Sequence, residues 1–320
     1  MLKDILQKLE EACKNWEPPH VPEDIPQGDM PGDGVWIGPQ SMAKAQAAFQ
    51  VLLPMLKEAL SQNGKAVVSV SGGSGTGKTC VAALVTYYLN QLGVPAYTLS
   101  GDNYPKRIPE RNDAERARIF RLAGVRGMLA AGCYNGENAQ TLKRLQEEDL
   151  DSDPGQAGTY PWLEAYQTAG REELSRYLGT AEEQEYDQLE SVLTQFKASR
   201  EKIWLKRMGR EDTALWYEEK DFSGISVLVL EWTHGNSGLF AGVDIPIFLY
   251  NTPAETREYR LARGRDANAD TAFITMVIEL EQAKLEARAQ AAKIIVSKGA
   301  EILSYEACRA RIEAGQRGEG

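Results

Sequence analysis

Residues Gly72-Gly73-Ser74-Gly75-Thr76-Gly77-Lys78-Thr79 satisfy the spacing G-x-x-x-x-G-K-[ST]. An apolar run, Ala66-Val67-Val68-Ser69-Val70, precedes them, and a helical pattern from Cys80 to Leu92 follows. Glycines at these positions let backbone N–H groups turn inward around phosphate oxygens, and the helix behind them points its positive end at the same oxygens. Lys78 reaches the β- and γ-phosphates, and Thr79 offers a hydroxyl to Mg²⁺. A glycine-rich turn that matched by chance would not come between a buried strand and a helix. The whole segment, Gly72, Gly73, Ser74, Gly75, Thr76, Gly77, Lys78 and Thr79, is therefore expected to cradle a nucleoside triphosphate.

The rest of the chain is organised around that unit. Residues 1–16 predict an amphipathic helix, with Leu2, Ile5, Leu6 and Leu9 on one side. A proline- and glycine-rich arm, 17–41, follows, and then a helix from Met42 to about Gln62 with Ser41 as its N-cap. Beyond the P-loop, Pro95 to Leu99 predicts a second strand, which completes a βαβ unit. The stretch 113–203 is mostly helical by pattern and is broken at 149–161; segments 202–206 and 213–217 predict a hairpin. Core strands resume at Ser226 to Leu230 and Ile245 to Tyr250. A helix follows near Pro253 with Thr252 as its cap, then a long helix from about Thr271 to Ala291, a short strand at 293–296 and a last helix.

The expected fold class is α/β: a P-loop NTPase three-layer α/β/α with a mostly parallel sheet, a helical insertion and an N-terminal helical extension. Its predicted parts are an extension and arm at 1–64, a first core segment at 65–111, a largely helical insertion with the hairpin on the acceptor side at 112–224, and the rest of the core at 225–320.

Charge and cysteine content exclude several classes. With 46 acidic against 36 basic residues the net charge is −10, so no general attraction for nucleic acid or an anionic membrane is expected. Cys13, Cys80, Cys133 and Cys308 are far apart and form no C-x-x-C pair, which predicts reduced thiols and no structural zinc. The N-terminus lacks the apolar stretch and cleavage site of a signal peptide, and no run has the length of a membrane span. A cytoplasmic protein acting on a small molecule is the expectation.

Two acidic strand ends and a group of arginines narrow the chemistry. Asp102 follows the second strand, where α/β sheets bind their ligands; it is placed to orient or deprotonate an acceptor hydroxyl, or to hold Mg²⁺ through water. Tyr104, Lys106, Arg107 and Arg111 come next and are candidates for binding an anionic group on the acceptor; Arg116 and Arg118 read equally well as a solvated helix face. Glu231 ends the most apolar strand, as a Walker-B acid does, and His234 follows on a loop over the same edge. Arg257, Arg260, Arg263 and Arg265 can close over a triphosphate, stabilise the transferring charge and exclude water.

These residues resemble the uridine kinase and phosphoribulokinase-like group of P-loop kinases. The resemblance is carried by SVSGGSGTGKT (69–79), GDNY (101–104), SVLVLE (226–231), NTPAETREYRLARGRDANAD (251–270), FITMV (273–277) and AKIIV (292–296). It implies ATP and Mg²⁺, with Asp102 as base or acceptor orienter, Lys78 and Arg263 acting on the transferring phosphoryl group, and Arg260, Arg263 and Arg265 as lid residues. It also implies Glu231 as the acid near metal and acceptor, and Thr79, Asp102 and Glu231 as the metal set.

The chain departs from the group on the acceptor side. Trp232-Thr233-His234 stands where the group has Gly-Ile, and Tyr186-Asp187 lacks the histidine of the nucleoside-binding segment. The implied activity is transfer of the γ-phosphoryl group to a hydroxyl of a nucleoside, sugar or related alcohol, with uridine itself unsupported. Leu99-Ser100-Gly101-Asp102-Asn103 also resembles the L-D-G-D-N segment of adenylylsulfate kinases, the runner-up. A P-loop ATPase or a nucleotide-binding regulator is the alternative outside kinases; a GTPase would need N-K-x-D, which is absent. The first 64 residues match neither family, and three roles stay open for them: covering one face of the core, forming a homodimer contact or closing the acceptor pocket.

Overall fold

The computed structural model describes residues 2–26, 28–31, 37–209, 211, 214–262 and 271–316, with side chains at 258–262 and 316 left aside. Its centre is β1 (Ala66–Gly72), buried along its whole length. A strand rich in valine and without charge suits that place, because parallel strands on both flanks and helices on both faces remove it from water. On one side β1 pairs in parallel with β5 (Val227–Glu231), which pairs in turn with β2 (Ala96–Ser100). On the other it pairs in parallel with β6 (Ile245–Leu249), followed by β7 (Ile294–Val296). A two-residue antiparallel strand, β8 (Ile302–Leu303), closes that edge and is too short to leave a pattern in the sequence.

Alternate residues of these strands enter two cores. Val68 and Val70 face α1 (Leu2–Asn15), α2 (Pro39–Asn63) and α3 (Lys78–Gln91), with Ile5, Leu9, Phe49 and Leu52 against them. Val67, Leu228 and Leu230 face α7 (Tyr186–Lys197) and the strand β3 (Lys202–Met208). β3 forms the expected hairpin with β4 (Leu215–Asp221). The result is the three-layer α/β/α arrangement read from the sequence, with α1 and α2 supplying much of one layer. Their two helices are held by buried apolar side chains, each worth roughly 1.5–3 kcal/mol relative to exposure. α2 starts at Gly38, ahead of the expected Ser41 cap, because Pro39 already has the φ of a first helical turn.

By packing, the chain divides into two compact units. The first joins 1–104, 185–256 and 284–320; the second joins 105–184 and 257–283, so that the stretch 112–224 is shared between them. The second unit is helical. α4 (Pro109–Ala130), α5 (Gly136–Glu147), α6 (Leu163–Tyr177) and the start of α9 (Ala272–Ala287) pack around Phe120, Met128, Tyr166, Leu174 and Met276. α8 (Pro253–Ala262) leaves the first unit after a capping box, in which Glu255 N donates to Thr252 Oγ1 at 3.2 Å and Thr252 N to Glu255 Oε2 at 2.9 Å. No helix among the described residues is long and apolar enough to cross a membrane.

Candidate functional site

Parallel pairing sets four strand ends side by side. Glu231, the last residue of β5, is level with Val70 on β1 and with Ser100 on β2, while Gly72 is level with Leu249 on β6. The P-loop, the Asp102 turn, Glu231 and the Asn251 segment thus leave the same edge of the sheet, the carboxyl edge at which such folds bind ligands.

The loop is ordered by its own contacts. Thr76 Oγ1 donates to Gly73 O at 2.9 Å, and Lys78 Nζ donates to the same carbonyl at 3.2 Å. Gly77, with φ 90°, is the N-cap of α3, a left-handed conformation that a side chain would oppose. The first amides of α3 therefore have no side-chain acceptor at the cap and are left for an anion.

Asp102 lies in a 3-10 turn, Gly101–Asn103, and is exposed between two buried neighbours. The turn is held from several directions. Asn103 Oδ1 accepts from Met208 N of the hairpin at 3.0 Å. Asp29, from the proline-rich arm, accepts from Ser100 N at 2.6 Å, Tyr97 OH at 2.9 Å and Arg207 Nη1 at 2.9 Å. Burial pushes the Asp29 carboxyl up, while Arg207 and these donors favour its ionised form. The Tyr97 hydroxyl is raised by its own burial and then by Asp29. On a further side Trp232 covers Gly101 so closely that a Cβ there would stand 2.0 Å from its ring. Gly101→Ala is accordingly expected to lower unfolding free energy by about 1–3 kcal/mol, as overpacking does. Urea denaturation checks this, and an unchanged midpoint would show that the indole has room to yield.

Other predicted residues fall at varied places. Glu231 is buried, with Ser100 Oγ 3.4 Å from its Oε2. His234 stands edge-on to Trp232, ring centres 5.2 Å apart. Tyr104 is buried in the α7-side core with no hydrogen-bond partner for its hydroxyl, whose pKa burial raises. Lys106 and Arg107 belong to the helical unit, where Arg107 Nη1 donates to Tyr177 OH at 3.0 Å and Nη2 lies 3.8 Å from Glu115. Arg260 is on α8, and Arg263 and Arg265 lie outside the described residues.

Sequence reasoning missed Asp29, Arg207 and Lys44. Lys44, on α2, is buried; its Nζ donates to Thr76 O and to Asn251 Oδ1, both at 3.0 Å. Burial lowers its pKa to about 8, with Glu255 opposing and Lys298 adding to the shift. One signal was available: Lys44 shares the helix face of Ala48 and Phe49's buried stripe, where a lysine is out of place. Asp29 carried no signal, because its partners are 68 to 178 residues away.

Among the described residues no group of three or more His, Cys, Asp or Glu side chains could hold a metal by itself. Mg²⁺ on a nucleotide needs no such cage, because it takes one or two protein oxygens and completes its shell with phosphate and water. Thr79, Glu231 and Asp102 are oxygen donors of that kind.

No protein-family model matches the chain. It is 43% identical over 235 residues to the bifunctional alpha-galactosidase/sucrose kinase AgaSK of Mediterraneibacter gnavus, a match covering 73% of this chain and 20% of that protein. The chain thus spans about a fifth of the length of the curated relative it matches. Two solved structures are also similar. A protein assigned as a fructose transport system kinase, from a Silicibacter species, has a TM-score of 0.48 at 16% identity, covering 76% of this chain and 94% of that one. D-glycerate 3-kinase from Cryptococcus neoformans has a TM-score of 0.44 at 14% identity, covering 82% and 98%.

Proposed function

We propose that this protein transfers the γ-phosphoryl group of ATP to a hydroxyl of a small sugar. The observation that carries the reading is the convergence of the P-loop, the exposed Asp102 and the buried Glu231 on adjacent strand ends. The sugar is suggested by the relative named in part for sucrose kinase, at 43% identity. The uridine kinase and phosphoribulokinase-like label rests on the motif order alone, and Trp232 and His234 stand where its nucleoside specificity would be written.

In this reading the acceptor oxygen attacks the γ-phosphorus, the bond to the ADP oxygen breaks, and the acceptor proton passes to Asp102 or, with Asp102 as orienter only, to water. Lys78 and the amides of the loop neutralise charge on the phosphates. Thr79, Glu231 and Asp102 would hold Mg²⁺, which would supply neutralisation of phosphate charge when bound. Arg260, Arg263 and Arg265 are assigned to the lid by resemblance. The cytoplasm is the proposed compartment, as four cysteines far apart in the sequence suit reduced thiols.

The test is an ADP-release screen over sucrose, other disaccharides, monosaccharides, polyols, nucleosides and adenylylsulfate, with Lys78→Met as blank. A sugar is expected to raise ADP release, and Lys78→Met to lower it by roughly 10²–10³-fold, the range for loss of a charge-stabilising donor. If no acceptor lifts the wild type above the blank, the kinase reading fails; a response to adenylylsulfate alone selects the runner-up.

A further inference from the structure

α2 touches the phosphate loop from behind. Lys44 Nζ donates to the Thr76 carbonyl at 3.0 Å, and with a second hydrogen to Asn251 Oδ1 at 3.0 Å, joining segments 32 and 207 residues apart. The Thr76 carbonyl belongs to the peptide unit that continues into Gly77. No cis bond occurs among the described residues, so the N–H of Gly77 points away from that carbonyl. Gly77 is the N-cap of α3 with φ 90°, which makes this peptide the hinge between loop and helix. Ser41, one turn earlier on α2, lies close as well: its Oγ would be 3.3 Å from a Cβ at Gly77.

We propose that Lys44 is a positioning residue for the triphosphate site: its ammonium fixes the Thr76 carbonyl on the outer side of the loop and thereby aims the Gly77 N–H at the phosphates. Asn251 holds the same ammonium from the segment that opens into α8. This rests on the reading of the loop as an ATP site, and it assigns the N-terminal extension a share in that site.

A purely structural lysine is a poor alternative. An apolar residue would fill the α2 face without desolvating a charge. Burial opposes the charge here, with Lys298 adding to the penalty and Glu255 and Cys80 offsetting part of it. A hydrogen bond from a charged donor to a backbone carbonyl is the strong kind that can hold one peptide plane.

The experiment compares wild type, Lys44→Met, Lys44→Arg and Lys78→Met by calorimetric titration with ADP, by separate KM values for ATP and acceptor, and by thermal unfolding. Lys44→Met is expected to weaken ADP binding and raise KM for ATP by roughly tenfold, leave KM for the acceptor within about twofold, and keep a cooperative melting transition. Lys44→Arg should recover part of the loss. ADP affinity unchanged in Lys44→Met, or an equal rise in both KM values, overturns the proposal. If Lys44→Met does not fold, Asn251→Ala is read in its place: a loss of about threefold in ADP affinity supports the proposal, and none overturns it. A wild type without ADP affinity would overturn the ATP-site reading itself, whereas a wild type that binds ADP beside an unaffected Lys44→Met overturns the role of Lys44 alone.

Discussion

Asp102→Asn is expected to lower kcat about a thousandfold while KM for ATP stays within about threefold of wild type, the range for removing a positioned general base. The exchange is close to isosteric. Asp102 is exposed, and the turn that carries it is held by its neighbours Gly101 and Asn103 together with Asp29, Met208 and Trp232. Stability should therefore change by no more than about 1 kcal/mol, the range for contacts of an exposed carboxylate. An asparagine still accepts a hydrogen bond and can orient a hydroxyl, but it takes up no proton at neutral pH. The size of the fall thus separates two roles: about a thousandfold for a base, tenfold or less for an orienter. Steady-state kinetics with the acceptor found by the screen decides it. Full transfer activity in Asp102→Asn would remove this residue from the chemistry and leave ATP binding untouched.

The second large effect is on stability, in the helical unit. Glu183 is fully buried, and its carboxylate accepts from Arg116 Nε at 2.7 Å, Asn112 Nδ2 at 3.1 Å and Gly179 N at 2.6 Å. Arg116 Nη2 also donates to Glu281 of α9 at 2.9 Å, so one guanidinium ties α4, the turn before α7 and α9 together. Burial alone would lower the arginine's pKa, but Glu281 and Glu183 reverse this and raise it. Arg116→Met takes a charged donor from a buried carboxylate, and about 3–5 kcal/mol of unfolding free energy should be lost. Adding Glu183→Met should recover much of it, because the stranded charge goes too. Urea denaturation of both variants checks this. A loss below about 1 kcal/mol in Arg116→Met would mean that the Glu183 carboxylate is held without Arg116.

Arg116 also shows where the sequence stops informing. Arg116 and Arg118 read alike, as anion ligands or as a solvated face. Arg118 is exposed and pairs with Glu115 three residues away, whereas Arg116 is tied to Glu183 and Glu281 across the fold. Features set by neighbours in the chain were legible: the P-loop between strand and helix, the apolar strands at β1, β5 and β6, the hairpin and the Thr252–Glu255 cap. Their signals are periodicity, glycine placement and capping, all within a few residues. The support of the site was not legible. Asp29 and Arg207 are 178 residues apart, and Lys44 and Asn251 are 207 apart. Long-range pairing leaves no local pattern, and a proline-rich arm gives no sign of which residue it delivers. The helical pattern puts α7 with the insertion, whereas its Leu189, Leu193 and Phe196 complete the second core of the sheet.

A loop with four glycines among Gly72 to Thr79 would, if loose, lose much conformational entropy on closing around a ligand. Here Thr76, Lys78 and Lys44 fix it through the carbonyls of Gly73 and Thr76, by contacts made within the chain. The ordering is thus met during folding, by the burial of α1 and α2 on the sheet, and little of it remains to be met at binding. Fluctuations of α2 and the nucleotide's residence time become linked quantities: whatever frays α2 returns disorder to the loop and shortens the stay of any phosphate in it.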